Sequence, residues 1–450
     1  MRLWIDPYPK PILSADPTYR PAPTGPDAMN GDTAALPPDR SAPAASAAAD
    51  HIQQGTPAFR RTSVALFLAG FSTFGLLYTV QPLLPEFTRH FGVSAANSAL
   101  ALSLSTGLLA VSMLIAGLIS DRVGRRNVMI TALLASTVLS AASALVNDWT
   151  TLLILRALLG IALSGVPAVA MTYLVEEMDS RALGLAMGLY IGGNAVGGMS
   201  GRLIAGVVAD HWGWRWGIGG VSIIAVASTA LLWMQLPPSR HFQSRRSGLR
   251  ELPARWRTLF SDPGLPWLFA TAFLLMGVFV TLYNYLGYHL LAPPYQLSQT
   301  VVGLIFSVYL VGTFSSAWMG QQATRHGRGK VLAICYALIA TGIVLLALPW
   351  LGCMAAGIAL VTFGFFGGHS VASSWVGSRA GILRAEASAL YLFAYYLGSS
   401  VAGALGGVFY THWDWWGVCA FTAVMTLGGA SIAWQLRRRT RPQPELALSR

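Results

Sequence analysis

From residue 63 onward the chain alternates long apolar runs with short polar punctuation. Twelve runs can be marked, at 63–84, 97–119, 127–147, 149–173, 184–208, 214–236, 266–289, 300–320, 331–350, 352–375, 387–410 and 416–436. Each is close to the roughly 20 residues that an α-helix needs to cross hydrocarbon. Residues 1–60 break this pattern. They are rich in Pro, Ala, Asp and Ser, so they are predicted to be a disordered cytoplasmic tail. They do not read as a signal peptide, because no sufficiently long apolar core follows Met1. A long basic segment divides the runs six and six. The predicted organisation is a tail at 1–60, a six-helix bundle at 61–236, a basic cytoplasmic linker at 237–265, a second six-helix bundle at 266–436 and a cytoplasmic tail at 437–450.

Composition supports the pattern. Of 450 residues, 54% are hydrophobic and 11% charged, against about 25% charged in soluble domains. The expected fold class is therefore all-α integral membrane, with twelve transmembrane helices in two pseudo-symmetric bundles, and an ordinary globular enzyme is excluded as the default. The formal charge of +12 does not predict a nucleic-acid partner, because the arginines sit in short segments between runs. Loops after even-numbered runs hold Arg122, Arg125 and Arg126, then Arg181, six arginines from Arg240 to Arg257, then Arg325, Arg328 and Lys330, then Arg379 and Arg384. The opposite side holds Arg89 and Arg215. The positive-inside rule then puts both termini in the cytoplasm. Cys335, Cys353 and Cys419 fall in or beside apolar runs and predict small buried apolar roles rather than disulfides. No CxxC pair, metal-ligand spacing or GxxxxGK[ST] loop occurs. No cofactor or metal is expected, and a membrane enzyme or ATP-driven pump fits poorly.

Two landmarks recur. Gly117–Arg126 reads GLISDRVGRR, and Gly320–Lys330, 203 residues later, reads GQQATRHGRGK. Gly117, Arg122, Gly124 and Arg125 return as Gly320, Arg325, Gly327 and Arg328. His211-Trp212-Gly213-Trp214 is echoed 201 residues on by His412-Trp413-Asp414-Trp415. Two matches at nearly one offset predict a duplicated chain, as in secondary transporters whose halves rock against each other.

The segment Gly117-Leu118-Ile119-Ser120-Asp121-Arg122-Val123-Gly124-Arg125-Arg126 resembles the loop 2–3 signature of the major facilitator superfamily. Leu152 to Gly160, with Arg156, resembles that family's span 4 motif. Gly193-Asn194-Ala195-Val196-Gly197-Gly198 resembles its span 5 antiporter motif, with Asn194 in place of proline. A closer resemblance, from about Gly55 to Arg438, is to the YnfM-type, arabinose-efflux-permease-like group of bacterial inner-membrane transporters. It includes Gln81-Pro82, Met171 to Leu174, Gly197 to Arg202, His369 to Trp375 and Tyr395 to Ser400. The resemblance implies a transporter of the bacterial cell inner membrane, with proton-coupled efflux of a sugar-, drug- or metabolite-like solute expected. An importer or facilitator of the same fold is the alternative, and a non-transporting receptor a remoter one. The implied partners are a small molecule, protons and the lipid bilayer, with the protein a monomer.

The candidate chemistry follows. Asp121 is expected to lock the cytoplasmic ends of the bundles together, favouring an outward-open state; Thr324 takes its place in the second copy. Gly117, Asp121, Arg122, Gly124, Arg125, Arg126, Gly320, Arg325, Gly327 and Arg328 make up the gating motif. Glu176 or Glu177 is expected to pair with a loop arginine. No acid after the tail falls near the middle of a run, so the titratable or charged groups inside the runs are Arg156, Arg202 and His369, all costly in lipid. Arg156 reads as an anion-binding or counter-charge group, or as an arginine satisfied by helix carbonyls. Arg202 reads as snorkelling near the outer end of run 5, and His369 as a proton relay. By the resemblance, spans 1, 4, 7 and 10 line the cavity, contributing Tyr78, Gln81, Tyr173, Tyr283, Asn284 and Trp375; Asn194 and Tyr395 add to this lining. Glycines 188, 192, 193, 197, 198 and 201 are expected to form one close-packing strip on run 5.

Overall fold

A computed structural model describes residues 51–242 and 252–439. Most of the predicted tail, part of the linker and residues 440–450 lie outside the described residues. Hydrocarbon offers the backbone no hydrogen bonds, so an apolar run must satisfy its own N–H and C=O groups. The runs accordingly fold as helices: α1 Pro57–Tyr78, α2 Leu84–Phe91, α3 Ala95–Val123, α4 Arg125–Ser143, α5 Trp149–Leu163, α6 Ala170–Glu177, α7 Ser180–Trp212 and α8 Trp214–Gln235. After α9 Leu252–Ser261, within the expected linker, come α10 Leu265–Leu291, α11 Gln299–Leu304, α12 Tyr309–His326, α13 Arg328–Leu346, α14 Leu351–Arg379 and α15 Arg384–Arg439. Large apolar side chains such as Val138, Ile223, Phe314, Val344 and Leu427 are exposed. Serines, threonines and Arg156 and Arg202 are buried, as expected of a protein whose outer surface meets lipid.

Among the described residues, ten helical stretches are long and apolar enough to cross a membrane. The difference from twelve has two sources: run 4 is interrupted, and runs 11 and 12 join in one stretch. Run 4 breaks after α5 into turns over 164–169, where Pro167 has no N–H to donate back to Leu163. Runs 11 and 12 are the two arms of α15, whose 56 residues contain one non-helical residue, Asp414 (φ 52°, ψ −149°). Phe409 and Phe421 stack with centroids 4.5 Å apart. Twelve residues of straight helix would separate them by about 18 Å, so the chain turns back at Asp414.

Four of the positive-φ turns fall at the repeated landmarks. Gly124 (φ +99°) closes α3 and opens α4, and Gly327 (φ +88°) does the same for α12 and α13. Gly213 (φ +83°) and Asp414 mark the second pair. Glycine carries no Cβ penalty at positive φ; Asp414 instead accepts from the Trp415 N–H at 2.8 Å. The beginning of the described chain is more ordered than its composition suggests. Ile52 donates to Glu177 O and accepts from Asp179 N, and Thr56 caps α1 by accepting from Phe59 N. A short polar stretch thus finds backbone partners at the end of α6, which composition alone does not reveal.

Helix α1 lies directly on α7. A methyl group added at Gly193 would run into the Phe67 carbonyl, at Gly197 into the Phe71 carbonyl, and at Gly201 to 2.6 Å from the Gly75 backbone. The second half repeats the contact, with Gly398 against the Phe273 carbonyl. The predicted strip is therefore narrower than expected. Gly188 and Gly192 face open space, because i, i+4 spacing from Gly193 selects one face and leaves its sequence neighbours turned away. Replacing Gly197 with Ala is expected to destabilise the protein by about 2 kcal/mol through overpacking, whereas Gly188→Ala leaves it unchanged. Thermal unfolding of the two variants in detergent checks this; equal melting temperatures would refute the packing argument.

Candidate functional site

The site grows from a break in span 8. Between α11 and α12 the chain winds as a 3-10 turn over Ile305–Val308, a tightening that often marks functional positions within a helix. It brings Phe306 and Tyr309 onto the guanidinium of Arg202, at 5.2 Å and 4.8 Å from their ring centroids, while Tyr78 of α1 lies at 3.9 Å. Arg202 is buried. Its Nε donates to Gln81 Oε1 at 2.5 Å and its Nη1 to Gly198 O at 2.6 Å. Gln81 in turn donates through Nε2 to Asn284 Oδ1 at 2.7 Å. Gln81 and Asn284 are 203 residues apart, the offset of the repeated loop, so the two halves meet here through equivalent positions.

Other bonds between the halves gather at the same end. The Tyr288 hydroxyl donates to Leu84 O at 2.8 Å and lies 2.7 Å from the Thr88 hydroxyl. Gln299 donates to Pro82 O and Thr300 Oγ1 to Asp210 Oδ2 at 2.6 Å; deeper along the runs, Ser400 Oγ donates to Ser103 O at 2.7 Å. Gly206 and Gly303 bring α7 and α11 close, with a Cβ on Gly206 only 3.0 Å from Gly303 Cα.

From Arg202 a wall of rings runs inward. Tyr283 stacks on Phe306 at 5.2 Å and meets Tyr309 at 5.6 Å. Phe279 stacks on Phe365 at 3.9 Å. Tyr395 lies 4.8 Å from His369, whose Nδ1 is 3.0 Å from the Tyr391 hydroxyl. Tyr283 and Asn284, adjacent on one helix, divide their tasks: the Tyr283 hydroxyl pairs with Thr362 at 2.8 Å while Asn284 faces Gln81.

At the opposite end lies the repeated loop. Arg125 donates to Asp121 and Ser120, each at 2.5 Å, and to Glu176 at 2.9 Å, so Glu176 is the acid that pairs with a loop arginine. Arg126 caps α8 by donating to Leu236 O and Trp233 O. In the second copy Arg328 donates to Ser378 and Thr324 to Gly320 O. Arg122 and Arg325 are exposed, and Gly117 faces open space. These pairs lie within their own half. An apolar cavity of about 400 Å³ is lined by Leu114, Trp256, Phe273, Leu390, Phe393 and Leu397, between α3 of one half and α9, α10 and α15 of the other.

Several expected lining residues serve other ends. The Arg156 nitrogens donate to three carbonyls: Nε to Ala101 O, Nη1 to Leu76 O and Nη2 to Leu77 O. The last two belong to the final turn of α1, whose carbonyls have no intrahelical partner. Arg156 is thus the C-terminal cap of another helix, the carbonyl-satisfied reading of this residue. The Tyr173 hydroxyl donates to Pro237 O at 3.0 Å, which ties α6 to the end of α8 rather than lining a cavity. Trp375 is buried six residues beyond His369 on α14. Asn194 faces Gly70 on α1, and its Oδ1 has no partner. The residue underrated by sequence is Arg202. Its position near the end of an apolar run suggests snorkelling, and the burying rings belong to α1, the 3-10 turn and α12, distant in sequence. Phe306 and Tyr309 carry no local signal either. Among the described residues no three His, Cys, Asp or Glu side chains gather as metal ligands.

The family model described as Major Facilitator Superfamily matches residues 66–293 and 285–450. The chain is 46% identical over 388 residues to the inner membrane transport protein YnfM of Escherichia coli (strain K12), covering 86% of this chain and 93% of that protein. It is 44% identical to the MFS-type transporter YybF of Bacillus subtilis (strain 168), covering 86% and 96%. Among solved structures, a bacterial homolog of the human lysosomal transporter Spinster, inward-facing and unoccupied, superposes with a TM-score of 0.68 at 16% identity, covering 87% of this chain and all of that one.

At the start of α10, Asp262 accepts from the Gly264 and Leu265 N–H groups at 2.8 Å and from Arg379 Nε. Partial burial pulls its pKa up, but Arg379 and the two backbone donors outweigh it and hold the carboxyl below the ordinary aspartate value. The stabilisation is therefore present above the unfolded pKa of about 4 and lost as pH falls through the lower folded value. Asp262→Asn is expected to melt at a lower temperature at pH 7, with the gap closing below about pH 4. A gap of constant size across that range would contradict the ion pair's role.

Proposed function

The chain belongs to the Major Facilitator Superfamily, and we propose that it is a secondary transporter exporting a small organic solute from a bacterial cell by proton-coupled alternating access across the inner membrane. The observation carrying this reading is the one-sided distribution of bonds between the halves. Gln81–Asn284, Tyr288–Leu84 and Thr300–Asp210 seal one end, while the loop pairs at the other end stay within their halves beside an apolar cavity. With both termini in the cytoplasm, as the arginine distribution supports, the sealed end is the outer one. Transport then requires these bonds to break and the loop end to close, with Asp121 completing the inner closure.

The relative named as an inner membrane transport protein supports the location. Proton coupling is assigned to His369, which meets Tyr391 and Tyr395 on the ring wall. The described acids lie in loops or near helix ends, which leaves this imidazole as the ionisable side chain standing on the ring wall.

Counterflow and pH-gradient-driven flux in proteoliposomes, run against a panel of small amphipathic solutes, test the proposal. His369→Ala is expected to keep counterflow and lose flux driven by the gradient; an unchanged dependence on the gradient would remove His369 from the proton path. Asp121→Asn is expected to slow flux roughly tenfold, the value of a charge-assisted hydrogen bond, while inserting and purifying as wild type. Wild-type kinetics in that variant would refute the gating role. Flux indifferent to the gradient in the wild-type chain would make the protein a facilitator.

A further inference from the structure

Arg202 is a buried charge held by neutral groups. Its Nε and Nη1 donate to Gln81 and Gly198, three aromatic rings surround it, and Nη2 donates to no described protein atom. Arg156 supplies the contrast, since all three of its nitrogens reach backbone carbonyls. Burial of a charge is costly unless it is paired and fully hydrogen-bonded, and Arg202 meets neither condition. Two buried donors close by lack acceptors: the Tyr309 hydroxyl, whose ring packs on the guanidinium, and Asn284 Nδ2, one bond away through Gln81. A group rich in lone pairs would answer all three. Beside them stand the flat faces of Tyr78, Phe306 and Tyr283.

We infer that Arg202 is the anion-binding group of the transport site, and that the solute is an organic carboxylate with a flat, apolar body. This rests on the transporter reading above. The carboxylate replaces Gln81 as the partner of Arg202, as a charged acceptor outcompetes a neutral amide oxygen, and the flat body lies on the rings. Gln81 also holds Asn284 across the seal. Its release loosens the contact between the halves, so occupancy of the site favours opening of the sealed end.

The test uses the purified full chain in nanodiscs, with binding read by tryptophan fluorescence and thermal shift. The probes are benzoate and indole-3-acetate, their uncharged amides, and acetate as a carboxylate without a ring. At least one aromatic acid is expected to bind at least roughly tenfold more tightly than its amide, from the strength of charge-assisted bonds, and more tightly than acetate. Arg202→Gln is expected to abolish the preference for acid over amide, and Arg202→Lys to retain part of it. Equal affinity of acids and amides, or an undiminished preference in Arg202→Gln, overturns the assignment. Should Arg202→Gln not fold, the wild-type comparison decides together with Tyr309→Phe, expected to weaken the acid about fivefold by loss of one hydrogen bond and to spare the amide; unchanged acid binding in that variant counts against the site. Binding and flux fail separately. Acid preference without counterflow of any solute rejects transport and keeps the site, whereas counterflow without acid preference rejects the site and keeps transport.

Discussion

A bilayer interior contains no solvent able to hydrogen-bond a polar group, so each such group buried there must find its partner within the protein. This constraint makes helices of the apolar runs. It also explains where the polar residues go. Thr73, Ser136, Thr137 and Thr229 turn their hydroxyls back onto carbonyls four residues earlier in their own helices. Ser140 meets Ser222 across α4 and α8. Arg156 finds carbonyls where they are free, at the last turn of α1, and in doing so joins α5 to α1 and α3. Thr62, Ser72 and Tyr190 leave buried hydroxyls without a partner among the described residues; Arg202 is a buried charge whose hydrogen-bond partners are neutral, and groups left incompletely satisfied are where a ligand gains most from binding.

The duplication carries the geometry further. Gly124 and Gly327 turn the two loops, Gly213 and Asp414 turn the two interface landmarks, and Gly197 and Gly398 press on Phe71 and Phe273. Gln81 and Asn284 follow the same relation, and their mutual bond places both where the halves meet. Symmetry ends at the charge. The position corresponding to Arg202 in the second half, at the 201-residue offset of the second landmark, is Gly403, which packs against Asn284 and Ser103. One half thus supplies the cation, and the other supplies much of the ring wall through Tyr283, Phe306 and Tyr309.

Particular residues show how far the sequence carries. Asp121, Arg125 and Glu176 are legible because acids and arginines flanking an apolar run have few alternatives, and one of the two acids ending run 4 does pair with Arg125. The glycine strip is legible as spacing but not as a face: Gly193, Gly197 and Gly201 touch α1, while Gly188 and Gly192 do not. Tyr173 and Tyr283 look alike in sequence, yet one anchors Pro237 and the other joins the ring wall. Their difference lies in which distant helix arrives opposite them.

The chain by itself therefore determined the number of apolar runs, the bias of arginine to alternate loops, the duplication and the family resemblance, all properties of order along the sequence. Hydropathy and spacing suffice for these because crossing hydrocarbon constrains length and composition locally. Only the tertiary structure decided which buried polar group meets which. Arg156 and Arg202 are equivalent by composition, both arginines within apolar runs. Three carbonyls from α1 and α3 complete the hydrogen bonding of the first, while the second meets rings from α1, the 3-10 turn at Ile305–Val308 and α12, and an amide from the turn that follows α1. That distinction depends on contacts between residues 55 to 124 positions apart, which no local pattern encodes.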